Sequence, residues 1–214
     1  MNDYLAWHAE ALGAKAVEAL NKNNFKATFV KTRQEAIDKV LALTPADAKV
    51  GIGGSWTTSA DLGLPGILEG RGNTVWNHGK PGLSAEEVLD IRRKQLTCDV
   101  FLTGTNAVTL DGKLVNVDGT GQRVAAMIFG PKKVVIVAGV NKIVRDVEEA
   151  ERRIELYAAP LNNKRLNRPN PCTTTGICMD CQGPTRICNV TTILRKCSPL
   201  TETHVIVVGE ELGF

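Results

Sequence analysis

Four cysteines lie within one short stretch near the end of the 214-residue chain. Their spacing is Cys172-x5-Cys178-x2-Cys181-x6-Cys188. Thiolate sulfur is a soft, charged ligand, and four such ligands complete either a tetrahedral zinc site or a four-iron cluster. We therefore predict that these four residues bind a metal centre, with an iron–sulfur cluster as the first expectation and zinc as the alternative.

The intervals within this segment bear on the choice of centre. Structural zinc sites commonly pair two C-x2-C turns, whereas this segment has one, at Cys178 and Cys181, with wide intervals on both sides. Those intervals let a loop wrap around a larger cluster. A set of disulfides and a group of free thiols are the competing interpretations. Cys98 is read as an ordinary buried thiol, and Cys197 is near enough in sequence to replace one ligand.

Composition and charge exclude several classes of partner. The formal net charge is +3, and aromatic residues make up 5% of the chain, which does not favour nucleic-acid binding. The longest apolar run, residues 134–138, is too short to cross a bilayer, and the N-terminus has no secretory-signal pattern. We expect a cytoplasmic protein without a membrane partner. Thiols there are kept reduced, which favours a metal centre over disulfides.

Glycine-rich turns follow several predicted strands, at residues 51–57, 103–106, 118–123 and 137–142. In an open parallel sheet, ligands bind beyond the carboxyl ends of the strands, and glycine lets backbone N–H groups approach an anion. Ser55 and Thr57 add hydroxyl donors to one turn. Arg123 and Lys142 add positive charge suited to a phosphate or a carboxylate. The turns match neither the dinucleotide fingerprint nor a P-loop, and the alternative is that each glycine simply makes a turn.

Catalytic candidates are few. His78 lies in a loop after a predicted strand, where an imidazole can act as a general acid or base. Asp118 lies in a glycine-rich turn and is a candidate general base, but an aspartate there serves equally well as a turn former or helix N-cap. His8 and His204 are read as surface or structural histidines.

Strands alternate with helices along most of the chain. Strands are predicted at residues 26–31, 48–54, 73–77, 99–104, 132–139 and 203–214. This alternation predicts an α/β fold with a mostly parallel sheet and helices on both faces. Asp111 and Gly112 stand between two alternating runs, which predicts a small β-hairpin with a tight primed turn over residues 107–117.

The chain is predicted to form a single domain, residues 1–214. Prolines, asparagines and basic residues dominate residues 160–171, where periodicity ends, so this stretch is read as a surface excursion. The cysteines follow it, and a buried strand at residues 203–214 follows them. Residues 160–200 are therefore predicted to be a cysteine-rich insertion within the domain.

Three segments carry a family resemblance, and they read GIGGSWT, DVFLTGTNAVTLDGKLVNVDGTGQRVAAMIFGPKKVVIVAGVNKIV and CTTTGICMDCQGPTRIC…VIVVGEELGF. On these segments the sequence resembles the LUD-domain proteins associated with lactate utilisation, over nearly the whole chain. The resemblance implies a fold like that of sugar-phosphate isomerases and CoA-transferases. It also implies a ligand cleft lined by Gly53, Gly54, Ser55, Asn106, Gly119, Gly121, Arg123 and Lys142.

Two functions follow from these patterns. The resemblance implies a redox or accessory subunit that works with ferredoxin-like partner proteins in the oxidation of L-lactate to pyruvate. The cysteine-rich segment departs from the C-type lactate-utilisation proteins, which indicates a cysteine-containing subfamily. The second hypothesis is a stand-alone enzyme or binding module for a sugar phosphate, an acyl-CoA or a hydroxy acid, with a structural zinc loop. Either hypothesis is compatible with a homo-oligomer.

Overall fold

The computed structural model describes residues 2–214, which form ten strands and eight α-helices. The helices are α1 (Asp3–Lys22), α2 (Arg33–Leu43), α3 (Leu64–Gly70), α4 (Ala85–Gln95), α5 (Gln122–Ile128), α6 (Val147–Arg153), α7 (Ala159–Arg165) and α8 (Cys172–Thr175). The strands are β1 (Lys26–Val30), β2 (Lys49–Ile52), β3 (Thr74–Asn77), β4 (Val100–Gly104), β5 (Ala107–Thr109), β6 (Leu114–Asp118), β7 (Lys133–Gly139), β8 (Ile143–Val144), β9 (Val190–Leu194) and β10 (Glu202–Val208). Short π-helical turns occupy Thr57–Asp61 and Ile154–Ala158, and a 3₁₀ turn occupies Val140–Lys142.

Several helices begin at side chains that cap them. Ser84 accepts the N–H of Glu87, and the Glu87 carboxylate accepts the N–H of Ser84, so α4 begins at a capping box, whose Ser-x-x-Glu pattern is present in the sequence. Thr32 and Asp146 cap α2 and α6 by accepting the N–H of the residue three positions further on. Each such cap stabilises its helix by ~1 kcal/mol.

Six strands form the main sheet, in the order β1-β10-β7-β4-β2-β3, and every neighbouring pair is parallel. The residues of β7, β4 and β10 are almost all buried, because helices cover both faces of the sheet. The predicted α/β fold with a mostly parallel sheet is confirmed. Because the strands run in one direction, their carboxyl ends meet at a single edge of the sheet, where ligands commonly bind.

Two apolar cores lie on opposite faces of this sheet. One packs α1 and α5 against Phe101 and Ile136, and the other packs α2 and α3 against Leu102 and Val135. Neighbouring residues of one strand enter opposite cores because side chains alternate along a strand. Each fully buried side chain of this size contributes roughly 1.5–3 kcal/mol. Among residues 2–214, no helix is long and apolar enough to cross a membrane.

A second sheet contains four short strands in the order β8-β5-β6-β9. The antiparallel pair of β5 and β6 confirms the predicted hairpin. The predicted tight primed turn is wrong, because the N–H of Thr109 donates to the carbonyl of Lys113 and leaves a three-residue loop. Within that loop Gly112 has a φ of 81°, and the N–H of Leu110 is held by the carbonyl of Val144 in β8.

The cysteine-rich segment lies between α7 and β10. It contains α8 and β9, and β9 pairs antiparallel with β6, so the segment adds an edge strand to the second sheet. The prediction of an irregular excursion from residue 160 is wrong for its beginning, because α7 runs on to Arg165. Pro160 falls in the first turn of α7, where a helix tolerates a missing N–H.

Candidate functional site

The four clustered cysteines line one small cavity. Cys172, Cys178, Cys181 and Cys188 line it together with Arg186, and its volume is about 20 Å³. Cys172 is buried, whereas the other three cysteines are partly exposed. The structure therefore places the four predicted ligands around one cavity, and their role as metal ligands stays a prediction.

The remaining two cysteines lie elsewhere. Cys98 is buried in the core beside the main sheet, and its thiol donates to the carbonyl of Gln95. The thiol of Cys197 donates to the carbonyl of Thr201, and its N–H donates to the carbonyl of Asn23 at the end of α1. Cys197 is thus held away from the cavity, and the suggestion that it replaces one ligand gains no support.

The donor set of the cavity fits a soft metal centre. Four sulfur atoms suit zinc or an iron–sulfur cluster better than they suit magnesium or calcium. As they stand, no three His, Cys, Asp or Glu side chains within residues 2–214 are close enough to share one ion. The sulfurs would therefore have to draw inward around an ion or cluster.

A backbone N–H group near Cys178 is placed to stabilise a negative charge on its sulfur. The N–H of Asp180 lies 3.4 Å from the Sγ of Cys178, as a donor to it, and Asp180 adopts a positive φ of 43°. Arg186 donates to the carbonyls of Cys181 (2.6 Å) and Cys188 (3.0 Å). These contacts hold three of the cysteines in one compact loop, with a cation beside them.

The thiols of Cys172 and Cys188 are not activated as nucleophiles. Burial, followed by the neighbouring cysteines, raises the pKa of Cys172. Burial, together with a smaller contribution from Cys178, raises the pKa of Cys188 to about 11, while Arg186 opposes the shift. Both groups are therefore neutral thiols at neutral pH, and a bound cation would have to displace their protons.

The carboxyl edge of the sheet brings other predicted residues together. Gly53, Gly54 and Ser55 follow β2, and a Cβ at Gly104, the last residue of β4, would lie 2.6 Å from the Oγ of Ser55. A Cβ at Gly54, whose φ is 74°, would lie 3.2 Å from the Nε2 of His78. Close approach therefore requires glycine at these positions.

Lys142 is the buried cation of this edge. Its side chain lies in the 3₁₀ turn after β7, it is 4% exposed, and its Nζ lies 3.1 Å from the hydroxyl oxygen of Thr57. Burial, together with the positive charges of Arg153 and Arg123, lowers the pKa of Lys142 to about 7, while Asp61 opposes the shift. Apart from Thr57, no acceptor within residues 2–214 bonds its ammonium group.

Arg123 is committed to acceptors within the protein. Its guanidinium donates to Asp118 Oδ2 (3.1 Å), to Asn116 Oδ1 (2.7 Å) and to the carbonyl of Val117 (2.8 Å). A weaker contact of 3.3 Å reaches the Oδ1 of Asn106. The arginine thus ties α5 to β6, and a ligand would compete with these partners for its N–H groups.

Asp118 serves as a turn former in this arrangement. Its Oδ1 accepts the N–H groups of Thr120 (3.0 Å) and Gly121 (2.8 Å), and its other oxygen accepts Arg123. These contacts match the structural alternative that the sequence offers for Asp118.

The glycine turn beyond Asp118 faces the cysteine-rich segment. The carbonyl of Gly119 accepts the side-chain amide of Asn189 at 2.9 Å, and the carbonyl of Asp118 accepts the N–H of the same residue. A Cβ at Gly119 would lie 3.3 Å from Ile187. Of the predicted ligand-binding residues, Gly119 and Gly121 thus line the boundary with the cysteine loop rather than the surroundings of Lys142.

His78 is partly buried and neutral at neutral pH. Burial lowers its pKa, and the positive charge of Arg92 adds to this effect. Its Nδ1 lies 3.0 Å from the Nε2 of Gln95, an amide that also bonds the carbonyls of Ile52 and Trp76. The imidazole is thus held at the carboxyl edge next to Gly54.

Two neighbours of Lys142 belong to no sequence motif that would mark them as functional residues. Arg153, at the end of α6, donates to the carbonyls of Asn106 (2.8 Å) and Asn141 (3.1 Å). Asp61, in the π-helical turn, accepts the N–H of Gly213 at 2.6 Å. The periodicity of α6 indicates its inner face but does not show where Arg153 reaches, so tertiary structure alone reveals these roles.

A larger cavity lies at the opposite edge of the sheet, and its volume is about 310 Å³. It opens between the amino ends of β4 and β7, where Asp99 and Lys132 form an exposed ion pair at 2.8 Å. In parallel sheets the amino edge rarely carries ligand sites. The carboxyl edge, with its buried polar groups, is therefore a better candidate for a ligand site than this larger cavity.

The six-stranded parallel sheet, covered by helices on both faces, places the protein in the α/β class. The LUD domain profile matches residues 13–208, and the chain belongs to this family, as the resemblance predicts. A solved structure described as a DUF162 family protein from Deinococcus radiodurans is similar, with a TM-score of 0.53 and 15% identity over 94% of this chain and 98% of that chain. At this identity the likeness shows the fold. A search of curated proteins found no match.

Proposed function

We propose that this LUD domain protein binds an iron–sulfur cluster through Cys172, Cys178, Cys181 and Cys188. In this proposal it acts as a redox or accessory subunit in the utilisation of an organic acid such as L-lactate. Zinc is the alternative occupant. The observation that carries the proposal is that four thiols from one loop line one cavity.

The residues of the loop have separate roles in holding such a centre. The four thiols would be the ligands. The N–H of Asp180 would stabilise the charge on the Cys178 sulfur. Arg186, which already pairs with Asp180 Oδ1 at 2.7 Å, would hold the backbone of Cys181 and Cys188 in place. A bound cluster supplies one-electron transfer, which neutral thiols do not provide.

The position of the cavity supports exchange of electrons with another protein. Three of its cysteines are partly exposed, and Ile177 and Met179 beside them are 46% and 53% exposed. Exposed apolar side chains beside a redox centre suit contact with a protein partner. Ferredoxin-like proteins of lactate utilisation remain the proposed partners, on the strength of the family resemblance.

Anaerobic purification followed by metal analysis tests the proposal. We expect a brown protein with iron and sulfide in similar amounts, and a visible absorption band that dithionite bleaches. Cys181→Ser should lose most of the metal. Cys197→Ser is the matched control, because Cys197 is a partly exposed thiol outside the cavity, and it should keep its metal.

Other outcomes have defined meanings. A colourless protein with one zinc would support the alternative centre and a loop that is held in shape without electron transfer. Full metal content in Cys181→Ser would contradict the assignment of the ligands. A chain that neither carries metal after anaerobic purification nor takes it up on reconstitution would contradict the whole proposal.

A second candidate function is the binding of a small anionic metabolite at the carboxyl edge. The observation that favours it is the buried ammonium group of Lys142, which has one protein partner and lies near the charges of Arg123 and Arg153. A sugar phosphate, an acyl-CoA and a hydroxy acid are the classes considered. Calorimetric titration with inorganic phosphate, CoA and L-lactate tests it, and heat from none of the three would contradict it.

A further inference from the structure

Lys142 has unused hydrogen-bonding capacity in an enclosed position. An ammonium group has three N–H donors, and Thr57 takes one of them. Within residues 2–214 the other two donors have no acceptor, although the side chain is 4% exposed. Buried donors without partners are costly, so a group that accepts both would be stabilised there.

The charges around Lys142 do not balance. Lys142, Arg123 and Arg153 carry three positive charges, whereas Asp61 and Asp118 carry two negative charges. The difference of three minus two leaves one positive charge when Lys142 is protonated. One negative charge from outside would neutralise the group.

The hydrogen-bond donors of Arg153 also favour an external anion at this site. Its Nε and Nη1 bond the carbonyls of Asn141 and Asn106, and its guanidinium carbon lies 5.5 Å from the ring centre of Tyr157. Its Nη2 has no acceptor within the described part of the chain. Arg153 is near Lys142, because it bonds the carbonyl of Asn141, the residue before Lys142, and its charge acts on the ammonium group. A carboxylate has two oxygens, which can accept from both cations.

The C-terminal segment, residues 209–214, covers this group of charges. The side chain of Asn141 bonds the N–H of Leu212 (3.1 Å) and the carbonyl of Gly213 (3.2 Å). The ring of Phe214 lies 6.0 Å from that of Trp56. The segment thus lies directly over Lys142, and a Cβ at Gly213 would be 3.1 Å from Nζ.

We infer that Lys142, with Arg153 beside it, binds the carboxylate of a small monoanion under the C-terminal segment. This inference rests on the second function proposed above and names the class of its ligand. A monocarboxylate fits because its single charge matches the surplus. A phosphate dianion would reverse the charge of an enclosed site, which is unfavourable in a low-dielectric interior.

Titration calorimetry with three probes tests the inference: acetate, L-lactate and inorganic phosphate. We expect the wild-type protein to bind a monocarboxylate, and Lys142→Met to weaken that binding at least tenfold. Lys133→Met is the matched control, because Lys133 is a partly buried lysine that bonds the carbonyl of Leu43 at the amino end of the sheet. That variant should bind as the wild type does.

A second measurement uses the proton of Lys142. Binding of a carboxylate to the protonated amine should take up a proton when the titration is done at about pH 8, and Lys142→Met should take up none. Proton uptake by the wild type also decides the question if Lys142→Met does not fold.

The outcomes separate this inference from the functions proposed above. Monocarboxylate binding that is equal in wild type and Lys142→Met would overturn the inference. Phosphate or CoA binding without monocarboxylate binding would overturn it too but leave the second function standing. Binding of none of the probes would overturn both, while the metal content would still decide the first function.

Discussion

The backbone N–H of Cys178 donates to the carbonyl of Glu155 at 2.9 Å. This bond joins the cysteine-rich segment to the π-helical turn Ile154–Ala158. Ala159, the residue that follows this turn, also lines the cavity. A π-helical turn leaves a carbonyl without its usual helical partner, and such turns recur at functional sites. The helical run from α6 to α7 is therefore the support on which the loop rests.

Removal of the metal should loosen the loop without unfolding the sheet. We expect hydrogen exchange to rise in residues 176–188 when a chelator strips the holoprotein, because few backbone hydrogen bonds hold this stretch. Exchange in β7, whose residues are buried at the centre of the sheet, should stay unchanged. An equal rise in β7 would show that the centre stabilises the whole domain instead.

Arg123→Met should destabilise the fold by roughly 3–5 kcal/mol, because it leaves the buried carboxylate of Asp118 without its cation. The free energy of unfolding in urea measures this change. Arg152→Met is the control, because Arg152 pairs with Glu148 on an exposed helix face and should change stability little. A loss for Arg123→Met no larger than for the control would show that the buried network is dispensable.

Lys142 should make the protein more stable as the pH rises from about 7 towards 10.5. Its pKa is about 7 in the folded state and 10.5 in the unfolded chain. Between these values the unfolded chain binds the extra proton, so a rise in pH favours the folded state. Urea unfolding at about pH 7.5 and about pH 9 measures the slope. Lys142→Met should show a smaller slope than the wild type, and equal slopes would contradict the assignment.

Gly213→Ala should displace the C-terminal segment. Gly213 has a φ of 61°, and a Cβ there would lie 2.5 Å from the hydroxyl oxygen of Thr57. We expect a change in the fluorescence of Trp56, whose ring faces Phe214, and faster association of a monocarboxylate.

Gly63→Ala is the control for the change at Gly213. Gly63 has a similar φ of 57°, but a Cβ there meets nothing within 4 Å. This variant therefore carries the same backbone strain, of order 1–2 kcal/mol, without a steric contact in the cleft. If the two variants behave alike in fluorescence and association, the segment does not cover a binding site.

Much of the fold was accessible from local patterns. The apolar run of β7, the capping box at Ser84 and the glycine turns are signals that lie within a few residues of one another, and each predicts an element that the structure contains. The grouping of Cys172 with Cys188 was accessible for the same reason, because a short loop limits how far its ends can separate.

The surroundings of Lys142 were not accessible in this way. Asp61 bonds Gly213, which is 152 residues away along the chain, and Thr57 bonds Lys142, which is 85 residues away. Contacts at such separations depend on the order of strands in the sheet, which periodicity does not determine. The hydrogen bonds of Arg123 to acceptors within the protein could not be predicted either, because a sequence shows a charged residue but not the groups that neutralise its charge.

Asn189 follows the last cysteine of the loop and bonds the carbonyls of both Asp118 and Gly119. These carbonyls belong to the turn that leads into α5 and hence to Arg123. A change in the shape of the loop at Cys188 is therefore transmitted to that turn over a single residue. Oxidation of the thiols would therefore also change the position of buried residues between the two sheets, far from the exposed sulfur atoms.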